Sequence, residues 1–203
     1  RYWKYGYDRY FDSFEHYYLL YQRRNLDLWA EYADGKVTKE ELNRQRYLYP
    51  LEAVGAGDST LAKAYERDAL TMIPTKSKLM PHAREVLEYL SGKYNLYILS
   101  NGFKELQSHK MRSSGIDEYF KKVVLSDDIG ILKPWPEIFH FALSTTQSEL
   151  NNSLMIGDSW ENDIVGAAGV GMHQVFYNLS GRTDLPFAPT YQITDLKDLF
   201  NFL

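Results

Sequence analysis

The spacing of apolar residues changes once along the chain, near residue 73, and divides it into two kinds of sequence. Before that point, Tyr10, Phe11, Phe14, Tyr17, Tyr18 and Tyr21 follow the 3.6-residue period of an amphipathic helix and form an aromatic stripe on one face. Such a stripe serves either to pack against neighbouring helices or as a stacking surface for a base or other flat ligand. Leu26, Leu28 and Trp29 extend the apolar content towards a turn at Asp34-Gly35. Thr38-Lys39-Glu40-Glu41 has the spacing of a capping box, opening a helix that Pro50 should stop. A second turn at Gly55-Ala56-Gly57-Asp58 leads to a helix capped by Asp58 or Ser59 and running to about Thr71. Residues 1–73 therefore read as an all-helical domain.

From there the pattern alternates. Residues 73–78 read as an extended linker, and Pro81 opens a helix that Ser91-Gly92 ends. Short apolar runs at 95–99, 122–126, 154–157, 173–177 and 191–193 have the length and bounding turns of strands, the one at 154–157 buried on both faces. Helical segments at 104–113, from Pro136 to about Leu143, at 164–168, and from Thr194 or Asp195 to Phe202 intervene or follow. Strands alternating with helices of this length make βαβ units, so residues 74–203 are expected to form an α/β core around a doubly wound parallel sheet.

Composition narrows the function. With 44% hydrophobic and 15% aromatic residues the chain can build a packed core. A net charge of −4 gives no electrostatic footprint for nucleic acid or anionic lipid, and no apolar run is long enough for a membrane span. The absence of cysteine removes disulfides, thiolate metal sites and a Cys nucleophile, and fits a cytoplasmic protein. Nothing in the sequence marks an oligomeric state. The chain starts at Arg1, without Met, and runs almost at once into a helical pattern, so the true N-terminus is expected upstream.

The candidate chemistry lies where parallel strands end, because open α/β sheets bind ligands at the carboxyl edge. Three successive strand ends deliver Ser100-Asn101-Gly102, then Lys133 in the following loop, then Asp158 with Asp163 five positions later. A hydroxyl with backbone amides, a cation and two carboxylates suited to Mg²⁺ match the needs of a phosphate dianion. Each has an ordinary reading as well. Ser100 and Asp158 are common turn residues, Lys133 could be a solvated loop lysine, and Asp163 would favour a helix N-terminus for its dipole.

The stretches Leu-Tyr-Ile-Leu-Ser-Asn-Gly at 96–102, Gly-Ile-Leu-Lys-Pro-Trp-Pro-Glu-Ile-Phe at 130–139 and Met-Ile-Gly-Asp-Ser-Trp-Glu-Asn-Asp-Ile at 155–164 resemble the second, third and fourth motifs of the haloacid dehalogenase superfamily. The resemblance covers essentially the whole chain and implies a Rossmann-like core carrying a helical cap of the C1 type. It implies that Ser100 binds the transferring phosphoryl group, that Asn101 and Gly102 help hold it, and that Lys133 binds phosphate and orients the nucleophile. It also implies that Asp158 ligates Mg²⁺ and that Asp163 supports the metal directly or through water. The expected activity is Mg²⁺-dependent hydrolysis of a small phosphate monoester, a nucleoside 5′-monophosphate among the candidates, through an aspartyl-phosphate intermediate. The chain looks similar to pyrimidine 5′-nucleotidases and phosphoglycolate phosphatase-like members.

One element of the family pattern is not in the sequence. The first motif, Asp-x-Asp at the end of the first core strand, supplies the nucleophile and the acid/base, and Asp8 and Asp12 flank an amphipathic helix instead. The expectation is that this strand lies upstream of residue 1, because a core without it leaves two neighbouring strands with unpaired buried edges. Two other readings stand beside the phosphatase. A 2-haloacid dehalogenase needs no cation, against which Gly157-Asp158 argues, and a chain truly lacking the first motif would be an inactive binding protein.

Overall fold

The structure is a computed structural model and describes residues 1–203. It has two compact units, Arg1–Thr75 and Lys76–Leu203.

The first unit is helical: α1 (Phe14–Ala33), α2 (Lys39–Ala53) and α3 (Ser59–Met72). Each begins at a side-chain cap. Ser13, Thr38 and Asp58 accept from the backbone N–H groups of His16, Glu41 and Leu61 at 3.1, 3.1 and 2.9 Å, which satisfies a first-turn donor in every case. The aromatic helix thus starts at Phe14 and not at Tyr10, because Ser13 caps it and residues 7–9 form a separate 3₁₀ turn. Pro50 does not stop α2 as its chemistry suggested. Its ring removes one hydrogen bond, but Pro50 and Leu51 are fully buried, and the helix continues to Ala53, with Gly55 at a φ of 76° in the turn beyond it.

The aromatic stripe divides in two. Phe11 and Tyr17 are buried with Tyr2, Tyr7, Tyr47 and Tyr65, their ring centroids mostly 5–6 Å apart. Trp3, Phe14 and Tyr18 lie outside and stack in a row, 6.0 and 5.7 Å between centroids. Burial pushes the Tyr7, Tyr17 and Tyr47 hydroxyls well above the ordinary phenol range, chiefly by desolvation. A folded-state pKa raised above the unfolded one gives stability that is complete below about pH 10 and is lost as pH rises beyond it. Urea unfolding followed by far-UV circular dichroism should therefore hold a constant midpoint from neutral pH to about pH 9 and fall steeply above about pH 10.5. Phenolate absorbance should show a fraction of the tyrosines ionising only as the protein unfolds.

The second unit alternates helix and strand: α4 (Ala83–Ser91), β1 (Leu96–Ser100), α5 (Lys104–Ser114), β2 (Phe120–Leu125), α6 (Pro136–Thr146), β3 (Leu154–Gly157), a π-helical turn (Trp160–Val165) running into α7 (Gly166–Gly169), β4 (His173–Tyr177) and β5 (Tyr191–Ile193). Helix α4 begins after Pro81 because His82 takes the N-cap position with a left-handed φ of 62°. The segment predicted as a C-terminal helix is 3₁₀, Leu196–Asn201, capped by Asp195.

All strand pairs are parallel: β1 with β2, β3 with β4 and β4 with β5. Helices cover both faces. Val86 and Leu90 of α4 pack with Val175 and Ile193 and against Leu96, Leu154 and Ile156. Ile138 and Phe139 of α6 pack with Ala167 and Met172 and against Leu99 and Met155. The α/β core is therefore doubly wound. The pairs form two sheets, β1-β2 and β3-β4-β5, and β1 and β3 are not hydrogen-bonded to each other. The difference shows in their burial. Central β4 is buried from Gln174 to Tyr177, while β1 and β3 are only half-buried at every residue, although β3 was expected to be covered on both faces. No helix is long and apolar enough to cross a membrane.

Candidate active site

The turns after β1 and β3 place Asn101 and Asp163 against Lys133, which lies in the loop after β2. The side chain is buried, and its ammonium donates to the Leu99 carbonyl at 2.7 Å and to Asp163 Oδ1 at 2.6 Å. Lys133 is thus not a solvated loop lysine; it joins the edge of β1 to the turn after β3. Asp163 is equally buried, and its Oδ2 accepts the Ser159 N–H at 3.0 Å. A buried pair of this kind repays its desolvation only while both partners are present.

The local backbone makes the meeting possible. After Gly157 the chain enters a π-helical turn in which Asp163 N–H and Ile164 N–H both bond the Ser159 carbonyl, at 2.9 and 3.3 Å, and Ser159 Oγ caps Asn162. This widened turn brings the Asp163 carboxylate back across Gly157, where a Cβ would collide with Asp163 Cβ and Oδ2. Gly157 does not have a positive φ, so space and not backbone conformation requires glycine there. Gly157→Ala is expected to displace Asp163, reducing stability by about 1–3 kcal/mol and turnover at least about tenfold; thermal unfolding and steady-state kinetics on the same preparation check both.

Asn101 and Gly102 make hydrogen bonds within the protein that their spacing did not announce. The Asn101 amide clamps the backbone of Lys133, accepting its N–H at 2.7 Å and donating to its carbonyl at 2.9 Å. The Gly102 N–H donates to Ser100 Oγ at 3.0 Å. Both build the site from behind. Ser100 Oγ receives a second donor, Gln107 Nε2, at 2.8 Å, a contact that no sequence spacing announced.

Asp158 stands apart. Its side chain is exposed beside the half-buried Gly157, and neither a hydrogen bond nor an ion pair engages it. Oxygen-only donors suit a hard cation such as Mg²⁺, and the Asp158 carboxylate is free to take one. Both Asp163 oxygens already accept hydrogen bonds, and no three His, Asp, Glu or Cys side chains form a ligand cluster. The residues present fit Mg²⁺ at Asp158, with Asp163 acting through its neighbours. Trp160, in the same turn, is buried against Phe176 and Phe187 beneath the Arg182 guanidinium, which pairs with Glu161 at 2.7 Å. Glu161 is exposed and lies within the 155–164 stretch, while the half-buried Arg182 gave no periodic or motif signal.

Comparisons with known proteins identify the family of the chain. Residues 3–171 match the family model described as haloacid dehalogenase-like hydrolase. The chain is 29% identical over 187 residues to the HAD-hydrolase YfnB of Bacillus subtilis, covering 90% of this chain and 78% of that protein. The crystal structure of YfnB bound to magnesium superposes with a TM-score of 0.83 at 28% identity, over 92% of this chain and 82% of that one. The pyrimidine 5′-nucleotidase YjjG of Escherichia coli is 30% identical over 185 residues, covering 90% of this chain and 80% of YjjG. (S)-2-haloacid dehalogenase 4A of Burkholderia cepacia is 29% identical over 196 residues, covering 91% of this chain and 80% of the dehalogenase.

Proposed function

The chain belongs to the haloacid dehalogenase-like hydrolases, and we propose that within them it hydrolyses the phosphate monoester of a small metabolite with the help of Mg²⁺. One observation carries this reading: a lysine ammonium held rigidly between the Leu99 carbonyl and Asp163, at the same sheet edge as the Ser100 hydroxyl. An ammonium has three hydrogens, and two are committed, which leaves the third for a phosphoryl oxygen. Fixed in advance, that donor meets charge developing in the transition state without reorganising. Ser100 donates to a second phosphoryl oxygen. Asn101 keeps Lys133 in register, and Asp163 keeps its ammonium aimed. Asp158 would hold the Mg²⁺ ion, which when bound supplies positive charge that draws the phosphate in and offsets its repulsion from the nucleophile.

The nucleophile is a carboxylate from a strand that we place between β1 and β3. Both of those strands are half-buried at every residue, and Lys133 joins the end of β1 to the turn after β3. Residues 1–73 would serve as a helical cap domain. Substrates of the nucleotidase class are favoured because YjjG is a pyrimidine 5′-nucleotidase that matches most of the chain. The test is a panel of phosphate monoesters, nucleoside 5′-monophosphates included, assayed by phosphate release from the full-length protein with Mg²⁺ and with EDTA. Mg²⁺-dependent release from at least one ester is expected. Chloride release from 2-chloropropionate without phosphate release from any ester would replace the proposal with a dehalogenase.

A further inference from the structure

We infer that Gln107 is a positioning residue that fixes Ser100 as a hydrogen-bond donor towards the phosphoryl group; the inference rests on the phosphatase reading of Ser100 given above. A serine hydroxyl has one hydrogen and two acceptor lone pairs. Both acceptor directions of Ser100 Oγ are filled, by Gly102 N–H at 3.0 Å and by Gln107 Nε2 at 2.8 Å. Its hydrogen is therefore directed away from the protein donors. Without Gln107 the hydroxyl could rotate and spread its hydrogen over several directions, and the donor would have to be ordered during the reaction.

The surroundings hold Gln107 in this position. It is the fourth residue of α5, and its own N–H bonds the Phe103 carbonyl at 3.0 Å, within the first hydrogen-bonded turn. Its side chain lies across Gly102, where a Cβ would collide with the Gln107 amide and side-chain carbons. Gly102 does not have a positive φ, so the glycine at this position is explained by room for the glutamine. Strand end, glycine and amide thus form one unit whose product is the direction of a single O–H bond.

Substitution to an acceptor separates this from simple space filling. In Gln107→Glu the carboxylate can only accept, so it captures the Ser100 hydrogen and withdraws it from the substrate. With 4-nitrophenyl phosphate and the full-length protein, Gln107→Glu is expected to lower kcat/KM about 100-fold at pH 8, relative to the unsubstituted protein at the same pH. That ratio should recover as pH falls towards 5, because the protonated glutamic acid regains a donor. Gln107→Met, which keeps the bulk, should lose about tenfold evenly across the range, and nothing further on a Ser100→Ala background. Gln107→Glu turning over at the unsubstituted rate at pH 8, or Gln107→Met adding its full loss to Ser100→Ala, would overturn the inference. Ser100→Ala at the unsubstituted rate would instead sink the phosphatase role of Ser100 itself. Thermal melting of each variant confirms that folded protein is compared.

Discussion

Lys133→Met is expected to lower phosphate-ester turnover by about a thousandfold or more and to destabilise the protein by about 3–5 kcal/mol. The two losses have different origins in one side chain. Stability falls because the methionine leaves Asp163 as a buried carboxylate with no cation, only the Ser159 N–H remaining on Oδ2. Activity falls because the prepositioned phosphate donor is gone. Adding Asp163→Asn to Lys133→Met removes the stranded charge, so the double variant should regain most of the lost stability, with a coupling energy well beyond additivity. Turnover should not return. Urea midpoints and kcat measured on all four members of the cycle check this, and a double variant that recovers activity with its stability would refute the catalytic role of Lys133.

The same pair shows what could be read from the sequence and what could not. Alternation of apolar runs with helical segments was enough to place the five strands, because buried parallel strands leave short apolar blocks between turns. The strand ends then put Ser100, Asp158 and Asp163 at or just after the ends of β1 and β3, and Lys133 in the loop after β2. Which atoms meet there was not legible. Nothing in the spacing showed that the Asn101 amide both donates to and accepts from the Lys133 backbone, a contact 32 residues apart in the chain. Gln107 carries no motif at all, since a helical glutamine on a polar helix looks like any solvated side chain. The π-helical turn was read as an α-helix from Ile164, because a one-residue widening leaves no mark on apolar spacing. Pro50 misled for a complementary reason: its local penalty is real, but burial in the helical unit outweighs it. Pairings and local dihedrals are tertiary outcomes, and periodicity reports only which faces are apolar.

Asp158→Asn offers the cleanest separation of chemistry from folding in this protein. Asp158 is exposed and engages no partner, so its replacement by an amide of the same shape should leave the thermal midpoint unchanged in the absence of metal. Under the proposed role the consequence for activity is large. A neutral amide oxygen is a far weaker ligand for Mg²⁺ than a carboxylate, and a loss of about a thousandfold in Mg²⁺-dependent turnover is expected. Ligand linkage gives a second, activity-independent readout. Mg²⁺ that binds only the folded state stabilises it by RT ln(1 + [L]/Kd), about 2.7 kcal/mol at a hundredfold excess over Kd. The unsubstituted protein should therefore melt higher as Mg²⁺ is added, and Asp158→Asn should not. Asp163→Asn is the informative contrast. Its carboxylate holds Lys133, so that variant should lose stability without metal and still show part of the Mg²⁺-induced shift. If instead Asp158→Asn keeps both the shift and the turnover, the cation is held elsewhere. If Asp163→Asn abolishes the shift while Asp158→Asn does not, the two carboxylates have exchanged the roles assigned to them here.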